Sequence, residues 1–252
     1  MTQVTRHLIA RSDGARVELF QARSPAAASA GAILFVHGNQ AGQRLGAVEN
    51  VDNGTLLRFS AGLNITAAAV SQPGFGASEG PPDFCGPGTQ QAILAALSFL
   101  RKQPYVDPGR IVLCGNSRGA VASAMVATQV ADLRAVVLMS GVYDLEAAFE
   151  GSPQGLQLAI EKEAGLSRDA FLARSALHHA HKIRCEAMLL HGRRDDRAPV
   201  AQAELFAQAL SDAGLPATLS LFDCGHQIPR DYVRAALHPF LRGIFAPAVT
   251  LH

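Results

Sequence analysis

The sequence carries almost no excess charge: 22 Lys and Arg stand against 21 Asp and Glu, for a formal net charge of +1. There is no basic field to gather phosphates and no acidic tail, so nucleic acid is not expected as a partner. Long apolar runs are missing too. No stretch approaches the roughly 20 residues that a bilayer span needs, so no membrane span is expected. The four cysteines, Cys85, Cys114, Cys185 and Cys224, form neither a CxxC pair nor a regular ladder. That excludes a disulfide scaffold and reads as free thiols in a reducing compartment. Arg6 and His7 stand where a secretory signal would carry its apolar core. The expected location is therefore cytoplasmic.

What is present is apolar and ordered by rhythm. Of 252 residues 48% are hydrophobic and only 17% charged, enough to bury a substantial core, and no repeat or second core is apparent. A single domain over 1–252 is expected. Six short, nearly all-apolar runs at 32–36, 65–70, 110–114, 135–139, 187–190 and 218–222 read as strands covered on both faces. Between them, 90–101 sets Ile93, Leu94, Leu97 and Leu100 on one helical face, and 118–130, 200–213 and 231–245 read as further helices. This alternation predicts an α/β fold with a mostly parallel central sheet flanked by helices. The first 23 residues, with Val17, Leu19 and Phe20 semi-alternating, predict an antiparallel hairpin at the sheet edge, followed by an exit loop at 24–31.

Residues 141–182 break the rhythm, being longer than a simple crossover needs. The pattern Leu145, Phe149, Leu156, Leu158, Ile160, Phe171, Leu172 and Leu177 suits two or three short helices, expected to form a small cap over a site.

The chemistry starts directly after the strand at 110–114, in the pentapeptide Gly115-Asn116-Ser117-Arg118-Gly119, which opens a helix. A G-x-S-x-G turn between strand and helix pushes one hydroxyl out of the sheet at a helix N-terminus, and its glycines avoid collisions with neighbouring backbone. Ser117 is the expected nucleophile. A serine hydroxyl is weak at neutral pH and needs a base held by a carboxylate, in the chain order serine, acid, histidine. Asp195 and Asp196 follow the strand at 187–190, and His226 follows the strand at 218–222 after Gly225. His226 is the expected base.

With these motifs in place, the chain resembles the alpha/beta-hydrolase superfamily, nearest to the catalytic domains of its prolyl-oligopeptidase and dienelactone-hydrolase-like branches. The resemblance runs over nearly the whole length. The family's acid motif HG-x-x-D-x-x-V-P, laid on His191, Gly192, Asp195 and Pro199 with Ala198 for valine, implies Asp195 as the acid. Asp196 is the next candidate and Asp144, past the strand at 135–139, the third. The segment 175–183 resembles the family's lead-in to the acid strand. His37-Gly38-Asn39-Gln40 resembles the family's oxyanion turn and implies the Asn39 amide as one donor, with Gln40 as the alternative. The Arg118 amide, at the start of the nucleophile helix, is the second.

Arg118 itself departs from the resemblance, because related peptidases more often carry an aromatic or small residue there. Two readings of its side chain stand: attraction of an acidic substrate, or a surface ion pair. Gly74-Phe75-Gly76-Ala77-Ser78 is not a dinucleotide fingerprint and reads as a structural turn. No cofactor is implied. His178, His179, His181 and Cys185 lack the spacing of a zinc site, and no metal is expected. His37 and His191 read as hydrogen-bonded scaffold, and Cys224 as a packing residue. The expected activity is hydrolysis of a small-molecule carboxylic ester or thioester through an acyl-enzyme. The alternatives are a small peptidase or amidase of the prolyl-oligopeptidase type, or a hydrolase-fold protein that binds a ligand without turnover. Prolyl-oligopeptidase relatives usually carry a large N-terminal propeller, and about 30 residues precede the first parallel strand here, so the resemblance implies a small aminopeptidase or amidase and not an oligopeptidase as the peptidase alternative.

Overall fold

The computed structural model describes residues 3–25 and 30–246. Of the expected exit loop at 24–31, residues 26–29 lie outside the described residues, as do the two ends of the expected domain range. Eight strands are described: β1 (Val4–Ala10), β2 (Arg16–Arg23), β3 (Ala30–Val36), β4 (Thr66–Val70), β5 (Val106–Asn116), β6 (Ala135–Met139), β7 (Glu186–Gly192) and β8 (Ala217–Phe222). They form one sheet in the order β1-β2-β4-β3-β5-β6-β7-β8. β1 pairs antiparallel with β2 and β2 antiparallel with β4, while every later pair is parallel. The edge hairpin and the mostly parallel sheet follow the sequence pattern.

Along each strand alternate residues face opposite sides, and the two sides build two cores. Leu34, Val36, Leu113, Val136, Leu138 and Leu189 join one cluster, whereas Ile33, Phe35, Val112, Val137 and Leu190 join the other. The first cluster is closed by α3 (Pro87–Arg101), α4 (Arg118–Ala127) and α8 (Val200–Asp212); the second by α2 (Thr55–Leu63) and α9 (Arg230–Phe245). Two-sided cover is why the central strands read as continuous apolar runs.

Several bounds differ from the sequence reading. β5 runs from Val106 to Asn116 rather than over 110–114, because a register shift opposite Ala30 and Ala32 lets the polar stretch Asp107 to Arg110 stay in the strand. Helix α4 ends at Ala127, three residues short of Val130. The crossover between β3 and β4 carries two helices that the pattern did not disclose, α1 (Val48–Asp52) and α2. Among the described residues no helix is long and apolar enough to cross a membrane.

The long connection between β6 and β7 holds α5 (Leu145–Phe149), α6 (Gln154–Ala164), α7 (Arg168–Leu172) and a 3₁₀ segment, Ala176–Lys182. Asp144 and Ser167 cap α5 and α7 through side chains that accept N–H bonds from Ala147 and Ala170. Leu145, Ile160 and Phe171 are buried, and Phe149 packs on Phe171. Leu158 departs from the expected inward pattern and is 58% exposed, because α6 turns Ile160 inward instead.

Candidate active site

The Gly115 to Gly119 pentapeptide makes a sharp turn between β5 and α4. A Cβ on Gly119 would run into the carbonyl oxygen of Val36, and one on Gly115 into the carbonyl oxygen of Gly119, so neither position has room for a side chain. Between them Ser117 holds φ at +51°, an uncommon conformation for a residue with a side chain. Its N–H donates to the carbonyl of Met139 at 2.7 Å and its carbonyl receives the N–H of Ala120 at 2.8 Å, which pins the strained turn from both sides.

The hydroxyl this turn lifts out is within hydrogen-bond reach of a base. Ser117 Oγ lies 2.8 Å from His226 Nε2, and His226 Nδ1 lies 2.8 and 3.0 Å from the two carboxylate oxygens of Asp195. With Asp195 ionised, Nδ1 carries the ring proton and Nε2 is left to accept from the hydroxyl. The histidine loop is fixed by the hydroxyl of Ser140, which donates to the His226 carbonyl at 3.0 Å. It is also bound to the acid loop, where the Arg194 N–H donates to the carbonyl of Cys224 at 2.9 Å.

The Asp195 side chain is fully buried. Burial alone would push its carboxyl up, but hydrogen bonds from His191 and His226 and from the amides of Ala198 and Arg197 outweigh it and hold the group well below the usual carboxylate range. The two amides donate to Oδ1 at 2.9 Å each. His191 Nε2 donates to the Ala198 carbonyl at 2.8 Å and lies 3.3 Å from Asp195 Oδ2. This carboxylate is ionised and held in one orientation.

The other candidate acids are elsewhere. Asp196 is exposed next to the loop. Asp144 caps α5 and faces His178 at 3.5 Å, with no bond to His226. His37 does not reach Ser117: its Nδ1 donates to the carbonyl of Gly38 at 2.9 Å and its Nε2 accepts the N–H of Gln72 at 3.1 Å. Burial, to which the positive charge of Arg118 adds, pushes its pKa down to about 4, against the pull of the Gly38 bond.

The turn bearing Asn39 abuts Ser117, since a Cβ on Gly38 would lie 3.2 Å from Ser117 Cβ. No carbonyl among the described residues accepts the N–H of Asn39 or Arg118, so both amides are available. The N–H of Gln40 likewise meets no carbonyl among the described residues and stays the alternative donor, while its side chain binds Gly46 and Glu49. A cavity of about 710 Å³ borders Gly38, Asn116 and Gln227, and a second of about 310 Å³ borders Asn39, Arg197 and Gln227. Ser117 is not in the wall of either one; both flank the turn at Gly38 and Asn39 and the residue after His226.

The side chain of Arg118 makes the expected ion pair, but not at the surface. It is buried and pairs with Glu163 of α6 at 2.6 Å. Glu163 and Gln72, the residues it touches, carry no motif by which the sequence reading could have found them. The Gly74 to Ser78 turn is structural: Gly76, at φ +53°, packs against the carboxylate of the buried Glu18. Cys85, Cys114, Cys185 and Cys224 are free thiols, and burial pushes each of them up.

Comparison with known proteins places these features in a lineage. The chain is 25% identical over 152 residues to the uncharacterized peptidase YuxL of Bacillus subtilis (strain 168), an alignment covering 59% of this chain and 23% of that protein. The fold matches a Mycobacterium tuberculosis puromycin-hydrolyzing peptidase with a TM-score of 0.86 at 22% identity, over 97% of this chain and 40% of that one. It matches the Pyrococcus furiosus esterase Pf2001 with a TM-score of 0.68 at 16% identity, over 96% and 90% of the two chains. This chain therefore spans well under half the length of the two peptidases. A sequence model of the prolyl oligopeptidase family matches residues 86–240, from the start of α3 to the middle of α9 and across all three residues of the Ser117–His226–Asp195 relay, and the chain belongs to that family.

Proposed function

We propose that the protein hydrolyses a carboxylic acyl bond through an acyl-enzyme on Ser117. The observation that carries this reading is the continuous hydrogen-bonded line from Ser117 Oγ through the His226 imidazole to the buried Asp195 carboxylate. His226 takes the hydroxyl proton as Ser117 attacks the carbonyl, and returns it to the leaving group. Asp195 holds the ring and balances its charge when it becomes an imidazolium. The amides of Asn39 and Arg118 receive the oxyanion, where removing one such donor costs roughly a hundredfold to a thousandfold in turnover. Water, activated by the same histidine, then releases the acid. The reaction uses one hydrolase domain, with residues 141–182 as a small cap that sets access to Ser117.

For the scissile bond, a peptide or amide fits the family and the peptidase relatives at least as well as the ester expected from the sequence, whose support is the likeness to an esterase fold. A serine hydrolase that can expel an amine also expels the better alkoxide, so ester turnover follows from both readings. Amide turnover distinguishes them.

Intact-mass spectrometry after incubation with a fluorophosphonate tests the mechanism. One adduct is expected, lost in Ser117→Ala; no adduct on a folded protein overturns the acyl-enzyme reading. p-Nitrophenyl esters of increasing chain length beside aminoacyl anilides then assign the bond.

A further inference from the structure

Arg118 supplies one of the two proposed oxyanion amides, and its side chain reaches round to the turn that supplies the other. Nε donates to Gln72 Oε1 at 3.1 Å. The Gln72 amide group donates onward to the His37 carbonyl at 2.7 Å, and the Gln72 backbone N–H donates to His37 Nε2 at 3.1 Å. His37 Nδ1 then donates to the carbonyl of Gly38 at 2.9 Å. That carbonyl and the Asn39 N–H belong to one planar peptide unit, so fixing the oxygen fixes the direction of the N–H on the opposite side. Only a neutral imidazole with its proton on Nδ1 makes both His37 bonds, and the low pKa of His37 keeps it in that state.

The guanidinium at the head of this chain is itself immobilised. It lies over the rings of Phe75 and Phe84, 5.3 and 5.0 Å from their centroids, and its side chain is 7% exposed. Glu163 of α6 pairs with it at 2.6 Å and also accepts the N–H of Phe84 at 3.1 Å. The Cys85 thiol donates to the Arg118 carbonyl at 3.1 Å. A side chain so enclosed and so committed is not facing an acidic substrate.

We propose that the Arg118 side chain is a positioning residue that, through Gln72 and His37, aligns the Asn39 amide with its own and so assembles both halves of the oxyanion hole, with Glu163 of the inserted helix holding it in place. The proposal rests on the acyl-enzyme reading above. The connection is local and continuous, and every link in it is a hydrogen bond or an ion pair between buried or half-buried groups. Misdirecting one amide weakens binding of the oxyanion while leaving the ground-state carbonyl almost untouched. Its signature is therefore a loss in kcat, not a rise in KM.

The test uses the full chain, p-nitrophenyl acetate, and an aryl trifluoromethyl ketone whose serine adduct carries the oxyanion. Arg118→Met and Gln72→Met are expected to lower kcat roughly tenfold to a hundredfold, the range for residues that orient a reacting group from behind. KM should stay within about twofold and the inhibition constant of the ketone should rise by the same factor as kcat falls. Because both residues act along one chain of bonds, the double variant should be no worse than the poorer single one. Unchanged kcat, a change confined to KM, or a ketone affinity that does not follow kcat overturns the proposal. If Arg118→Met fails to fold, Gln72→Met carries the test, since it cuts the same connection without exposing the ion pair. A wild-type protein that takes no fluorophosphonate and turns over no ester overturns the acyl-enzyme reading itself; a labelled, active wild type with unimpaired variants overturns only the role of Arg118.

Discussion

Two carboxylates hold cationic or basic side chains next to Ser117, and they do so in different ways. Asp195 is fully buried in a strand-end loop, where two backbone amides and two histidines converge on it. Glu163, 18% exposed, sits on a helix of the inserted segment and holds Arg118. Backbone amides cannot move independently of the loop, so Asp195 has one orientation and, on the proposed mechanism, directs the ring that shuttles a proton. Glu163 holds a guanidinium, a group that takes no part in proton transfer, so it contributes fixed geometry. On the proposed mechanism one pair serves proton transfer and the other geometry alone, and substitutions in the two should fail differently.

The largest effect tests the first pair. Asp195→Asn should lower kcat on p-nitrophenyl esters by about ten-thousandfold, because the amide no longer favours the ring tautomer that leaves Nε2 free for Ser117. Asp196→Asn and Asp144→Asn should each stay within about threefold, since neither side chain touches His226. Steady-state kinetics on the three purified variants checks this, and equal losses at Asp195 and Asp196 would break the assignment of the acid.

The next effect moves in the opposite sense. Glu163→Gln should cost about 3 kcal/mol of stability, because it leaves a buried guanidinium without its counter-charge. Turnover should fall by no more than about tenfold, since Arg118 keeps its bond to Gln72. Urea unfolding beside ester kinetics reads both quantities. If Glu163→Gln loses activity as severely as Asp195→Asn while keeping its stability, the contrast between the two carboxylates collapses.

That contrast also marks what was legible in the sequence. Gly115 to Gly119, the acid loop at His191 to Pro199, and Gly225-His226 are set by backbone demands, and backbone demands leave short, fixed spacings that a reader can recognise. The strands were legible because burial on both faces leaves unbroken apolar runs. Gln72 and Glu163 were not legible. Each is joined to Arg118 across a long stretch of chain by a side-chain contact, and such contacts impose a distance in space but no spacing in sequence. Helices α1 and α2 were passed over for a related reason: α1 is five residues long and contains no buried residue, and only Leu56 and Ser60 are buried in α2. So short an inward stripe gives almost no period to detect.

The smallest effect concerns His37, which is bonded both to Gln72 on the Arg118 side and to the Gly38 carbonyl. Its imidazole is buried and neutral, with the pKa pushed down to about 4. In the unfolded chain the same ring titrates near 6.5. Below pH 6.5 the unfolded state therefore binds a proton that the folded state refuses, and stability falls with pH until the folded ring also titrates near 4. Across that window His37 should cost up to about 3 kcal/mol, roughly 2 of them by pH 5, and nothing above pH 7. Asp195, whose carboxyl is held low, acts only at lower pH, as the acid titrates in the unfolded chain near 4. Urea unfolding of the wild type and of His37→Gln at pH 7 and pH 5 separates the two contributions. The wild type should lose about 2 kcal/mol more than the variant between these values. Equal losses would mean that His37 is not held neutral, and its Nε2 would then no longer accept the Gln72 N–H that ties the ring to the rest of the connection.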